Sequence, residues 1–136
     1  MRYLKVLLIA GGSGSRAKPF SQYTPKPMTS LDGRPIIDHI VRYLAKFPEI
    51  EHFIIVCEFD DHGKQIINYF EGKEKIIGKK IEFIEDKKNG TGGAILNAEA
   101  QIGRDDSFIV WFADNICALD VSSFTNQFKF LKDSQK

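Results

Sequence analysis

The chain holds only two cysteines in 136 residues, Cys57 and Cys117, sixty positions apart and in no C-x-x-C pair. That scarcity excludes a disulfide scaffold and a cysteine-built zinc site. With no signal peptide at the start, both thiols read as reduced structural residues of a cytoplasmic protein. No apolar run approaches the roughly 18 residues of a spanning helix, so no membrane partner is expected. A surplus of one charge is missing too. The 19 Lys/Arg against 18 Asp/Glu leave a net +1, which exerts no global pull on nucleic acid. Repeats, low-complexity tracts and interior linkers are absent, and the length predicts one domain over residues 1–136. The three histidines, His39, His52 and His62, lack metal-ligand or triad spacing and are expected at the surface or in caps. The P-loop pattern G-x-x-x-x-G-K-[ST] does not occur.

What the chain does have is an uneven charge distribution. Residues 1–34 carry six basic side chains and one acid, while the remainder carries thirteen and seventeen. Within that basic stretch, residues 8–27 read LIAGGSGSRAKPFSQYTPKP. An apolar run, Val6 to Ala10, ends in Gly11-Gly12-Ser13-Gly14. Arg16 follows, and Lys26 stands between Pro25 and Pro27. Glycines let the backbone approach a phosphate and aim several N–H groups at it. Arg16 offers a planar fork to a polyphosphate, and Lys26 a compact point charge whose approach the prolines fix. A strand feeding a glycine loop with two spaced cations points to a nucleoside-triphosphate site. Gly12-x-Gly14-x-x-Ala17 also fits the dinucleotide fingerprint formally. That reading needs a helix opening on the loop and an acid about 20 positions on at a strand end. Pro19, Pro25 and Pro27 oppose the helix, and Asp32 sits in a turn-like LDGRP segment.

Four apolar, β-branched-rich runs predict strands at 4–10, 53–57, 81–85 and 107–113, two of them nearly continuous, as in strands covered on both faces. Between them lie helical patterns. Pro35 suits a first helical position, with Ile36, Ile37, Ile40, Val41 and Leu44 on one face. Asp60 or Asp61 can cap a helix carrying Ile66, Ile67, Tyr69 and Phe70 that ends before Gly72. Thr91 can cap a third helix through Ile102, and Val121, Phe124, Phe128 and Leu131 mark a fourth. This alternation predicts an α/β fold: a mostly parallel sheet between helices, with ligands bound beyond the carboxyl ends of its strands.

The glycine loop, Glu85 and Asp114 all fall on that rim. Asp114, ending the strand in WFADN, is placed to bind Mg²⁺, which needs one or two carboxylates plus phosphates; its plain alternative is a hydrogen bond to its own turn. Gly90-Thr91-Gly92-Gly93-Ala94 either presents backbone N–H groups to a ligand or forms a simple turn and cap. Glu85 either accepts hydrogen bonds from a nucleobase or is an exposed strand-end charge. Trp111 is expected in the core of a central strand, and the lysines of 73–80 and 87–88 in solvated loops.

These segments together resemble the sugar-1-phosphate nucleotidylyltransferases, whose signature is close to L-A-G-G-x-G-[ST]-R-x-x-P followed by T-x₀₋₃-P-K-P. Here Ile9-Ala10-Gly11-Gly12-Ser13-Gly14-Ser15-Arg16-Ala17-Lys18-Pro19 and Thr24-Pro25-Lys26-Pro27 stand in those places. Gly33-Arg34-Pro35-Ile36-Ile37 resembles the family's helix entry, Gly90-Thr91-Gly92-Gly93-Ala94 its G-T-[AG]-G-A segment, and Ala113-Asp114-Asn115 its metal-binding strand end. The Thr-Gly-Gly triplet looks most like the branch acting on heptose, mannose or muramic-acid 1-phosphates. The resemblance implies a three-layer α/β/α, Rossmann-like sheet and in-line transfer from an NTP to a sugar 1-phosphate, without a covalent intermediate. It gives Arg16 the leaving pyrophosphate and Lys26 the α-phosphate or sugar phosphate. Asp114 receives the Mg²⁺ cofactor. Ala10, Gly11, Gly12, Ser13, Gly14, Ser15, Glu85, Gly90, Thr91 and Gly92 fall to the nucleotide. A carboxylate at 85 favours GTP slightly, with UTP, dTTP and CTP open.

Two departures stand out. Ala17-Lys18 replaces the family's large apolar residue, and the sequence ends where relatives continue with sugar contacts and a second acidic metal ligand. The fold is therefore expected to be truncated. The chain is then a fragment, a protein completed by another chain, or a nucleotide binder without turnover. Apolar surface left by a missing half favours a homodimer.

Overall fold

A computed structural model of the chain describes residues 3–12, 19, 23–103 and 107–134. Strand β1 (Leu4–Ile9) leads to a single 3-10 turn at Lys26–Met28 and a small hairpin, β2 (Ser30–Leu31) and β3 (Arg34–Pro35). Asp32 and Gly33 form the hairpin's two-residue tip with φ of 51° and 80°, the left-handed pair that an Asp-Gly sequence favours. Helix α1 (Ile36–Ala45), β4 (Ile50–Cys57), α2 (Lys64–Phe70), α3 (Glu74–Ile77) and β5 (Lys80–Glu85) follow. The chain then forms α4 (Gly90–Asn97), α5 (Glu99–Ile102), β6 (Phe108–Phe112) and α6 (Val121–Ser134).

The four long strands make one parallel sheet in the order β5-β4-β1-β6. Two apolar layers flank it. Val6, Leu8, Phe53, Ile55 and Cys57 face Ile37, Ile40, Val41 and Leu44 of α1, Ile66 and Phe70 of α2, and Val121 of α6. Leu7, Ile54 and Val56 face Ala94, Ala98 and Ile102 on the other side. Alternate residues of β1 and β4 therefore serve opposite layers, which is why these strands are apolar at nearly every position. The α/β sheet with helices on both faces is the architecture expected from the alternating patterns.

Several local expectations are corrected. Helix α4 begins at Gly90 with Asn89 as its N-cap, so Thr91 lies inside the first turn, and the helix breaks at Ala98 before α5. Trp111 packs against the apolar layer as expected, but half-buried and in edge strand β6 rather than a central one, with Nε1–H donating to Asn115 O at 2.8 Å. Val110 and Phe112 are exposed; an apolar run does not reveal whether a strand has neighbours on both sides. His52 is buried, with Nε2 3.2 Å from Glu82 Oε2, because β4 begins earlier than its apolar stretch suggested. Within the lysine-rich 73–80 segment, residues 74–77 are helical as α3.

One buried charge braces the helical layer. Asp38, fully buried in α1, accepts both Nε–H contacts of Arg42 (3.1 and 2.8 Å) and the hydroxyl of Tyr69 on α2 (2.9 Å). Among the described residues no helix is long and apolar enough to cross a membrane.

Candidate functional site

The sheet register brings the strand ends level. Ile9 pairs with Val56 on one side and Phe112 on the other, and Cys57 pairs with Glu85. Strand order reverses at β1, with β4 and β5 to one side and β6 to the other, and that reversal opens a crevice beyond the carboxyl ends. Gly11-Gly12 lies at its centre. Ala10 is buried beneath, its N–H bonded to Val56 O at 2.8 Å. Gly12 has φ 116°, a conformation open only to glycine. Gly11 is favoured for a different reason: a Cβ there would sit 1.8 Å from Asp86 Oδ2, so the carboxylate would have to move.

On the β4–β5 side of that turn lies a cleft of about 380 Å³, lined by Ile9, Gly11, Gly12, Glu58, Asp86, Lys88, Gly90, Thr91 and Ala94. Asp86 is anchored at both ends, its N–H donating to Cys57 O (2.8 Å) and its Oδ1 accepting from Lys88 N–H (3.0 Å). This part of the rim is acidic. Burial first, and then the carboxylates of Asp86, Glu58 and Asp60, push the Cys57 thiol up to about 12. An acidic cleft wall accepts N–H and NH₂ donors and repels phosphate.

The β6 side carries the opposite chemistry. Met28 N–H donates to Pro25 O (2.8 Å) and Thr29 N–H to Lys26 O (3.1 Å), closing the turn that presents Lys26. Pro27 is buried, while Gln65 of α2 donates to Tyr23 O at 2.6 Å and ties down the incoming chain. Asp114 follows β6 in a turn whose neighbour Ala113 donates its N–H to Ile9 O (3.0 Å). Its carboxylate bonds not to that turn but to Lys26, with Nζ 3.0 Å from Oδ2.

Of the residues singled out in the sequence, Gly11, Gly12, Gly90 and Thr91 share the cleft, and Lys26 meets Asp114. Gly92 is exposed with open space around it. Glu85 is exposed and outside the cleft lining; the next residue, Asp86, takes the inward place because strand side chains alternate. Ser13, Gly14, Ser15 and Arg16 lie outside the described residues. Sequence reading missed Glu58, Asp86 and Lys88. The adjacent acids Glu85-Asp86 were the available signal, but only the exact strand end tells which one faces in.

A parallel sheet in this order, with a glycine turn at its reversal point and a lysine–aspartate pair beside it, defines an α/β protein with a crevice at the place where such sheets take their ligands. The sequence profile of the nucleotidyl transferase family matches residues 5–136, and the chain belongs to that family. It is 36% identical over 124 residues to the bifunctional protein GlmU of Methanococcus vannielii, an alignment covering 90% of this chain and 27% of that protein. The mannose-1-phosphate guanyltransferase of Aspergillus oryzae is 34% identical over 116 residues, covering 84% and 31%. Among solved structures, a Bacillus anthracis protein assigned as a glucose-1-phosphate thymidylyltransferase superposes with TM-score 0.82 and 26% identity over 93% of this chain and 50% of that one. The chain thus spans under a third of the first relatives' length and half of that structure.

Proposed function

We propose that the chain transfers a nucleotidyl group from an NTP to a sugar 1-phosphate, giving an NDP-sugar and pyrophosphate. The supporting observation is the placement of Lys26 with Asp114 at the same rim as the Gly11-Gly12 turn. A phosphate oxygen of the sugar 1-phosphate attacks the α-phosphorus in line, and the α–β bridging bond breaks to release pyrophosphate. No side chain bonds covalently to substrate, so the protein contributes position and charge. Lys26 neutralises the reacting phosphates, and Arg16, by its place in the family signature, the departing pyrophosphate. By their places in the family signature, Ala10, Gly11, Gly12, Ser13, Gly14 and Ser15 bind the nucleotide, together with Gly90, Thr91 and Gly92.

The donor set fits Mg²⁺. Among the described residues no three His, Cys, Asp or Glu side chains gather as a cage, and Asp114 is a single carboxylate at the rim. Mg²⁺ is commonly held by one or two carboxylates with phosphates and water. Asp114 would hold it, and when bound it supplies charge neutralisation at the phosphates.

For the base, the acidic wall of Glu58 and Asp86 suits guanine, whose N1–H and N2–H₂ are adjacent donors. The name of one relative agrees with that base: a guanyltransferase of mannose 1-phosphate. GTP is therefore the first substrate to test, with UTP, dTTP and CTP beside it.

A pyrophosphate-release assay across these NTPs and a set of sugar 1-phosphates tests the reading. Release is expected only with both substrates present, and is lost in Arg16→Ala and Asp114→Ala. Silence across the whole panel from folded protein rejects it. The acidic cleft beside the Gly11-Gly12 turn also suits a second reading, a nucleotide-binding module without turnover. That reading predicts thermal stabilisation by NTP with no pyrophosphate.

A further inference from the structure

We infer that Lys26 is the resident counter-cation of Asp114, and that a divalent metal reaches Asp114 only when a triphosphate draws Lys26 away. This rests on the nucleotide-binding reading of the site. Three observations carry it. Lys26 Nζ stands 3.0 Å from Asp114 Oδ2 although the two residues come from distant parts of the chain. Their side chains are 54% and 32% exposed, so the ammonium can leave and a ligand can enter. Among the described residues no group of three or more His, Cys, Asp or Glu side chains could hold a metal ion.

Charge then decides the order of events. A free divalent cation approaching Asp114 meets one carboxylate already neutralised by an ammonium, and the two positive groups compete for the same oxygens. A cation arriving as a triphosphate chelate changes both terms. It brings its own phosphate ligands, and it offers Lys26 anionic oxygens as strong as the carboxylate it gives up. Pro25 and Pro27 hold the backbone of Lys26 in its turn, so the exchange takes place along the flexible side chain alone. Metal and nucleotide are thereby coupled through one lysine, and linkage makes the coupling reciprocal.

Titration with Mn²⁺, an oxygen-seeking stand-in for Mg²⁺, reads this without any turnover. Free Mn²⁺ followed by electron paramagnetic resonance should bind wild type weakly. Lys26→Met should bind it roughly three- to tenfold more tightly, since an exposed ion pair and a nearby like charge are both removed. Lys26→Arg should stay as weak as wild type, and Asp114→Asn in the Lys26→Met background should abolish the gain. In a second arm, the strengthening of GTP binding by Mn²⁺ should shrink in Lys26→Met. Equal Mn²⁺ affinity in wild type and Lys26→Met, including no detectable binding to either, overturns the inference. The nucleotide-free titration fails or succeeds independently of pyrophosphate release, so its failure leaves the transferase reading standing. An inactive chain that still shows the Lys26→Met gain loses only the transferase reading.

Discussion

Asp86 occupies the space that a side chain at position 11 would need: its Oδ2 lies 1.8 Å from where a Cβ on Gly11 would be built. The glycine is thus fitted to a carboxylate just beyond the end of β5. Gly11→Ala should cost about 1 kcal/mol, at the low end of overpacking effects because the carboxylate tip can turn aside. In urea unfolding, the double variant with Asp86→Ala should recover most of that loss. Strictly additive losses would show that the two positions are not in contact.

Stability and binding should separate at Asp114. Its ion pair with Lys26 is partly exposed, so Asp114→Asn should change unfolding free energy by no more than about 1 kcal/mol. The same variant should lose pyrophosphate release by roughly 100-fold, the scale of removing one stabilising group at developing charge. Thermal melts and the release assay on one preparation make the comparison.

The Asp38 cluster should behave in the opposite way, with large effects on stability. Arg42→Met leaves a fully buried carboxylate with only the Tyr69 hydroxyl and should cost about 3 kcal/mol. Tyr69→Phe removes one hydrogen bond and should cost about 1 to 2 kcal/mol. Chemical denaturation with matched m-values checks both.

His52 gives the fold a pH dependence with a definite sign. Burial lowers its pKa below the ordinary 6.5, against the opposing pull of the Glu82 carboxylate. The unfolded chain then takes up this proton more readily than the folded one. The contribution to stability is present above pH 6.5 and is lost as pH falls through the lower folded value. Wild type should therefore lose more melting temperature between pH 7 and 5.5 than His52→Asn. Parallel curves would exclude the histidine as the source.

The two thiols should differ sharply. Cys57 is buried with its pKa pushed up to about 12, while Cys117 is exposed. A thiol reagent at pH 8 should label Cys117 in the native protein and reach Cys57 only after unfolding, as peptide mass mapping would show.

Much of this was legible in the residues. The apolar runs located all four long strands to within a few positions, and Asp32-Gly33 marked its own turn, though not the short hairpin around it, because these signals depend on neighbours in the chain. The glycine turn, Lys26 and Asp114 could likewise be singled out one at a time by residue type. What stayed hidden depended on partners far away in sequence. Glu85 and Asp86 are both acids at a strand end, and a one-residue difference in where pairing stops decides which enters the cleft. Trp111 looked like a central-strand residue because an apolar strand reads the same at a sheet edge as at its centre.

By itself, then, the amino-acid order determined an alternating α/β chain and the chemical types stationed at the strand ends, since strand alternation, helix periodicity and turn preference are local. Only the tertiary structure decided which of those groups meet. Lys26 reaches Asp114 because β1 and β6 are neighbours in a sheet whose order reverses there. Asp86 faces Gly11 because β5 ends one residue before it. Juxtaposition of this kind follows from strand order and register, which long-range pairing sets and short-range pattern does not encode.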